Sequence, residues 1–140
     1  MSIIIFMIYT SYFAFIPKLP KDMLKISISL FTPKWAQIDG LMPRLNPTEQ
    51  LLREAKSGMA SREESLKTYR EEILGKLSSV EVYSDLIEMI HKADKKDLAL
   101  LCYEKPGDPC HRRVVAQWLE EENNISVPEF ALEEKQLSLI

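Results

Sequence analysis

Residues 101–113 read LCYEKPGDPCHRR, and both cysteines of the chain, Cys102 and Cys110, fall inside that stretch. Glu104, Lys105, His111, Arg112 and Arg113 accompany them. A cysteine beside basic side chains loses its proton readily, and the resulting thiolate is a strong nucleophile. A glutamate or histidine nearby can move a proton. An arginine presents a planar fork that fits phosphate or carboxylate. Cys110, Glu104 and His111 are therefore the catalytic candidates, and Arg112 is the first candidate for holding an anion.

The flanking elements fix where these groups would stand. DLALLCY is a continuous apolar run bounded by turn residues, which predicts a central, doubly covered strand ending at Cys102. A helix is expected from about Pro109 to Glu122, with Asp108 as its N-cap and Val114, Val115, Trp118 and Leu119 on its buried face. The chemistry then lies on a strand-to-helix loop at the carboxyl edge of a sheet, where open α/β folds bind ligands. Cys110 would fall in the first helical turn. Unpaired N–H groups and the partial positive charge there favour a thiolate or a bound anion. Glu104, two residues beyond Cys102, would share its face if the strand continued.

Simpler readings compete. Cys102 fits a core cysteine, and Cys110 fits packing beneath the helix. Asp108 needs no role beyond capping, Arg113 could be a solvated surface charge, and His91 stands among lysines with no role assigned. The cluster as a whole argues for function more strongly than any member does. Known templates narrow the chemistry. Cys102, Glu104, Cys110 and His111 match no common zinc spacing, so no metal is expected. There is no Cys-x-x-Cys pair, and the position six after Cys110, where a phosphatase loop needs arginine, is Ala116. A zinc deaminase would need a second cysteine where Arg113 stands. No glycine-rich phosphate loop is present, and no cofactor is expected.

The rest of the chain supplies the scaffold. IIIFMIYT reads as a buried strand, and LKISISLF as a second one, whose Lys25, Ser27 and Ser29 should line a wetter face. Residues 32–44 carry Gly40 and two prolines and read as a long loop. Three helix starts follow. Asn46 with Pro47 and Glu49 opens one that ends near Gly58. Ser61 with Glu64 opens the second, with a stripe of Leu66, Tyr69, Ile73 and Leu77. Ser78 with Glu81 opens the third, with Val82, Leu86, Met89 and Ile90 inward. ISVPEF suits an edge strand, since proline is tolerated there. The expected fold is one α/β layered domain over residues 1–130, its mostly parallel sheet flanked by helices, with a C-terminal tail over 131–140.

Composition bounds the partners. A net charge of −3 over 140 residues gives no support to nucleic-acid binding through overall charge. The apolar start is too short to span a bilayer and lacks a signal peptide's flanks, so no membrane partner is expected. Two cysteines make no disulfide scaffold, which points to the cytoplasm.

LLCYEKPGDPCHRRVVAQWL resembles the signature of the domain-of-unknown-function family numbered four-eighty-eight: a strand with Cys-x-Glu, a short loop, then Cys-His-Arg opening a helix. IYTSYF, ISISLFTPKW and the helical middle resemble its short bacterial or phage-borne branch. The resemblance implies a compact α/β fold with Cys102, Glu104, Cys110, His111 and Arg112 as the shared site. It extends more loosely to Tyr9, Pro33, Lys34 and Trp35. If the first, second and last long strands are neighbours, Tyr9, Thr10 and the TPKW turn approach Cys110, and Lys34 becomes a second anion holder.

Three functions follow. The first is an enzyme on a small anionic substrate derived from a nucleotide or nucleic acid. The second is a non-catalytic module that binds a phosphorylated ligand or partner. The third is a thiol sensor in which Cys102 and Cys110 pair, for which their α-carbons should come within about 7 Å.

Overall fold

The computed structural model describes residues 5–103 and 110–130. Four parallel strands form one sheet in the order β1-β4-β2-β3: β1 (Met7–Tyr12), β2 (Met23–Ser27), β3 (Gly40–Leu41) and β4 (Asp97–Cys102). Helices α1 (Glu49–Ser57), α2 (Arg62–Glu72) and α3 (Ser79–Lys92) make the crossover from β3 to β4, and α4 (His111–Asn123) follows β4. The expected α/β fold with a parallel sheet is the observed one.

Strand β4 is central and covered on both faces, which explains its unbroken apolar sequence. On one face Leu98 and Leu100 pack with Leu86 and Ile90 of α3 and with Val115 and Leu119 of α4. On the other, Ala99 and Leu101 meet Phe13, Phe15 and Leu19. A 3₁₀ helix over Phe13–Lys18 builds that second cluster, and Ala36 and Ile38 pack against it. This cover corrects the expectation of a wet face on β2. Ser27 and Ser29 are buried, and Ser27 Oγ lies 2.7 Å from Thr32 Oγ1. Alternation along β2 reports residue polarity correctly but not what the preceding turn lays over it.

Local signals fix most helix ends. Ser61 and Glu64 form the reciprocal capping box of α2, and Ser78 accepts from the Glu81 N–H to cap α3. Gly58 closes α1 at φ 81°, a left-handed conformation that suits glycine. Two boundaries differ from expectation. Thr48, not Asn46, caps α1 by accepting from the Leu51 N–H. Helix α2 stops at Glu72 and a 3₁₀ turn over Leu74–Lys76 follows, so Leu74 rather than Ile73 or Leu77 is the fully buried residue there.

The segment read as an edge strand does lie along the free side of β1. The Thr10 N–H donates to the Pro128 carbonyl at 3.0 Å, and the Phe130 N–H donates to the Thr10 carbonyl at 2.7 Å. Among the described residues the backbone pairing is a single parallel bridge between Thr10 and Glu129. Residues 127–130 thereby come to rest beside the start of α4.

Candidate functional site

The carboxyl ends of β4 and β2 and the start of α4 meet at one place, and Cys102, Cys110, His111 and Arg112 come together there. Cys102 is the last residue of β4. Cys110 is the N-cap of α4, so the helix begins two residues later than expected, and its side chain makes no capping bond. The two sulfurs are joined as a disulfide, although the α-carbons stand 7.7 Å apart, beyond the span of about 7 Å expected for such a pair. Glu104 and Asp108, a catalytic candidate and the expected cap, lie outside the described residues.

His111 is oriented by the sheet. Its Nε2 lies 2.9 Å from the carbonyl oxygen of Ile28, an acceptor only, so Nε2 carries the proton and donates. That leaves the Nδ1 lone pair on the side of Cys110, 3.9 Å from Sγ. The imidazole also stands edge-on to the Tyr69 ring, with centroids 5.2 Å apart. A base whose tautomer is fixed by a backbone carbonyl and whose other nitrogen faces a cysteine is the arrangement that activates a thiol.

Arg112 is 1% exposed, so its charge has left water and requires a counter-charge. Glu129 supplies it. Nε donates to both carboxylate oxygens at 3.0 and 3.2 Å, and Nη2 donates to Oε2 at 2.7 Å. Nη1 donates to Cys102 Sγ at 2.9 Å, and the guanidinium lies 5.8 Å from the Tyr12 ring centre. A cation in the first turn of a helix opposes the helix dipole, and the ion pair offsets that cost. Glu129 was not a candidate from the sequence. The only signal for it was that an acidic residue followed a proline in the edge segment. Arg113, read as a surface charge, instead donates through Nη1 to Thr10 Oγ1 at 2.8 Å and to the Val127 carbonyl at 2.9 Å. Thr10 Oγ1 in turn donates to Glu129 Oε1 at 2.6 Å.

The looser candidates fall elsewhere. Lys34 and Trp35 are exposed on the segment after β2. Tyr9 lies in the second core cluster, edge-on to Phe130 at 5.1 Å. No contact among the described residues ties these three to Cys110.

A cavity of about 390 Å³ opens beside the cysteine, lined by Lys56, Arg62, Ser65, Tyr69, Cys110 and His111 among others. Lys56 and Arg62 were not candidates from the sequence, because α1 and α2 bring them to Cys110 only through their packing. Burial pushes the Tyr69 phenol well above its ordinary range, and its hydroxyl donates to the Leu45 carbonyl at 2.6 Å. Folding thus favours the neutral phenol. This contribution is complete below the unfolded value of 10.0 and is lost as pH rises above it. Tyr69→Phe should cost about 1 kcal/mol at neutral pH. The gap between wild-type and variant urea midpoints should narrow between about pH 9 and about pH 11.

Cys102 Sγ, Cys110 Sγ and a ring nitrogen of His111 lie within 4.8 Å of one another. Two thiolates and an imidazole suit a thiophilic divalent cation. The sulfurs are bonded to each other in this structure, so only the reduced form could offer that ligand set.

The molecule is thus a small parallel α/β protein with a Cys–Cys–His cluster and a buried arginine at the carboxyl edge of its sheet. The chain matches the family DUF488-N3a, described as the active DUF488-N3 subclade, over residues 15–123, and it belongs to that family. No curated protein and no solved structure matches it.

Proposed function

We propose that the protein is a thiol-dependent enzyme acting on a small anionic substrate derived from a nucleotide or nucleic acid. The observation that carries this reading is His111, tied to the Ile28 carbonyl through Nε2 and facing Cys110 Sγ with Nδ1. In the reduced protein, His111 Nδ1 takes the thiol proton and Cys110 Sγ attacks an electrophilic centre of the substrate. A bond forms from sulfur to that centre, the bond to the leaving group breaks, and the proton passes from His111 to the leaving group. The family description, an active subclade, agrees with catalysis.

The disulfide supports a second reading, in which the same cysteines sense redox state. Arg112 Nη1 touches Cys102 Sγ, so Cys102 is the sulfur better able to leave as a thiolate. An external dithiol would then attack Cys110 Sγ and release Cys102. Its second thiol would free Cys110, so that one disulfide is reduced as the dithiol is oxidised. The two readings combine as an enzyme that is inactive when oxidised.

The test is alkylation by iodoacetamide with peptide mass mapping, with and without prior reduction. Without reductant neither cysteine should label. After reduction Cys110 should label first, and His111→Gln should slow it about tenfold or more at neutral pH. Preferential labelling of Cys102, or a rate indifferent to His111, would overturn the assignment.

A further inference from the structure

We infer that the cavity between α1, α2 and α4 is a binding site for an organic phosphomonoester, with Lys56 and Arg62 holding the phosphate. This deepens the proposed function by naming the substrate's anionic group and the residues that receive it. The first support is charge. The protein as a whole carries −3, yet the cavity lining holds Lys56 and Arg62 and, among the described residues, no carboxylate. Arg62 is also the first residue of α2, a turn whose dipole is already met by Glu63 and Glu64, so the attraction for an anion comes from the two cations.

The second support is independent of charge. Ser65 lines the same cavity, and its Oγ is buried with no hydrogen-bond partner among the described residues. A buried hydroxyl without a partner is costly unless something supplies one, and serine commonly bonds back to its own helix when nothing else is offered. Ser65 stands one turn along α2 from Arg62, so a phosphate held by Arg62 lies within its reach. The oxygen is closed off from solvent as it stands, so rotation of the side chain towards the cavity would let a phosphate oxygen accept from it.

The third support is the remainder of the wall. Leu51, Leu66 and the Tyr69 ring give it an apolar side, and the volume of about 390 Å³ falls in the range of small-ligand sites. A bare phosphate would leave that side unused. A phosphomonoester with a flat or apolar body would cover it and bring its reacting group towards Cys110.

The phosphomonoester could be a free mononucleotide or the terminal phosphate of a nucleic-acid strand. Isothermal titration of the full chain distinguishes them, with adenosine monophosphate, adenosine, inorganic phosphate, and a hexanucleotide with and without a 5′-phosphate as probes. Adenosine monophosphate should bind at least about tenfold more tightly than adenosine or inorganic phosphate. Arg62→Gln and Lys56→Gln should each weaken it by about tenfold or more, and Ser65→Ala by a smaller factor. Lys76→Gln, an exposed lysine outside the cavity, serves as the charge control and should change nothing. Tighter binding of the phosphorylated hexanucleotide than of the mononucleotide identifies the strand end as the ligand. No binding of any phosphorylated probe, or binding indifferent to Arg62 and Lys56, overturns the site. Cys110→Ser separates the two readings. Retained nucleotide binding with ordinary Cys110 reactivity in the wild type leaves the phosphate site standing and removes the thiol mechanism.

Discussion

Glu129→Ala should destabilise the fold by about 3–5 kcal/mol, because it strands a buried guanidinium without its counter-charge. Arg112 is 1% exposed and Glu129 19%, and three donor–acceptor contacts join them. Arg112→Lys should be nearly as harmful, since a single ammonium cannot meet both carboxylate oxygens and Cys102 Sγ with one planar fork. Replacing both partners together, as Arg112→Met with Glu129→Leu, should recover most of the loss, because the cost comes from an unpaired charge rather than from an absent attraction. Urea denaturation of the wild type, Arg112→Met, Glu129→Leu and the double variant forms a double-mutant cycle that measures this coupling. If Glu129→Ala unfolds at the wild-type midpoint, Arg112 has another counter-charge.

Trp118→Ala is the second large effect, at about 3–5 kcal/mol. The ring is 7% exposed within the main core, and α4 packs there against α3. The Trp118 carbonyl accepts from Ser79 Oγ at 3.2 Å, and that bond survives the substitution because it uses the main chain. The loss therefore reports side-chain packing alone, read as a lower urea midpoint with an unchanged slope. An unchanged midpoint would mean that α4 is held by Val115 and Leu119 without it.

What the sequence made legible follows from the range of each interaction. Ser61 with Glu64 and Ser78 with Glu81 act across a single helical turn, so their helix starts could be read from the sequence. The apolar run ending at Cys102 announced a central strand because both of its faces are covered. Strand β3 stayed hidden. Two residues, Gly40 and Leu41, carry no periodicity, and only the pairing of Ser27 with Leu41 and of Ile26 with Gly40 defines it. The site divides in the same way. Cys110 and His111 were visible as neighbours in sequence. Glu129, Lys56 and Arg62 reach them through the path of the edge segment and the packing of α1 and α2, which no local pattern encodes.

Arg112 lies inside the stretch shared with the family, residues 15–123, while Glu129 and Thr10 lie beyond its two ends. The segment that defines kinship and the segment that is electrically neutral are thus different lengths of chain. Recombination that moved the shared stretch alone into another protein would carry the buried arginine and leave Glu129, its carboxylate partner among the described residues, behind. A graft of that stretch keeps this ion pair only where the new host lays an acid beside the first strand.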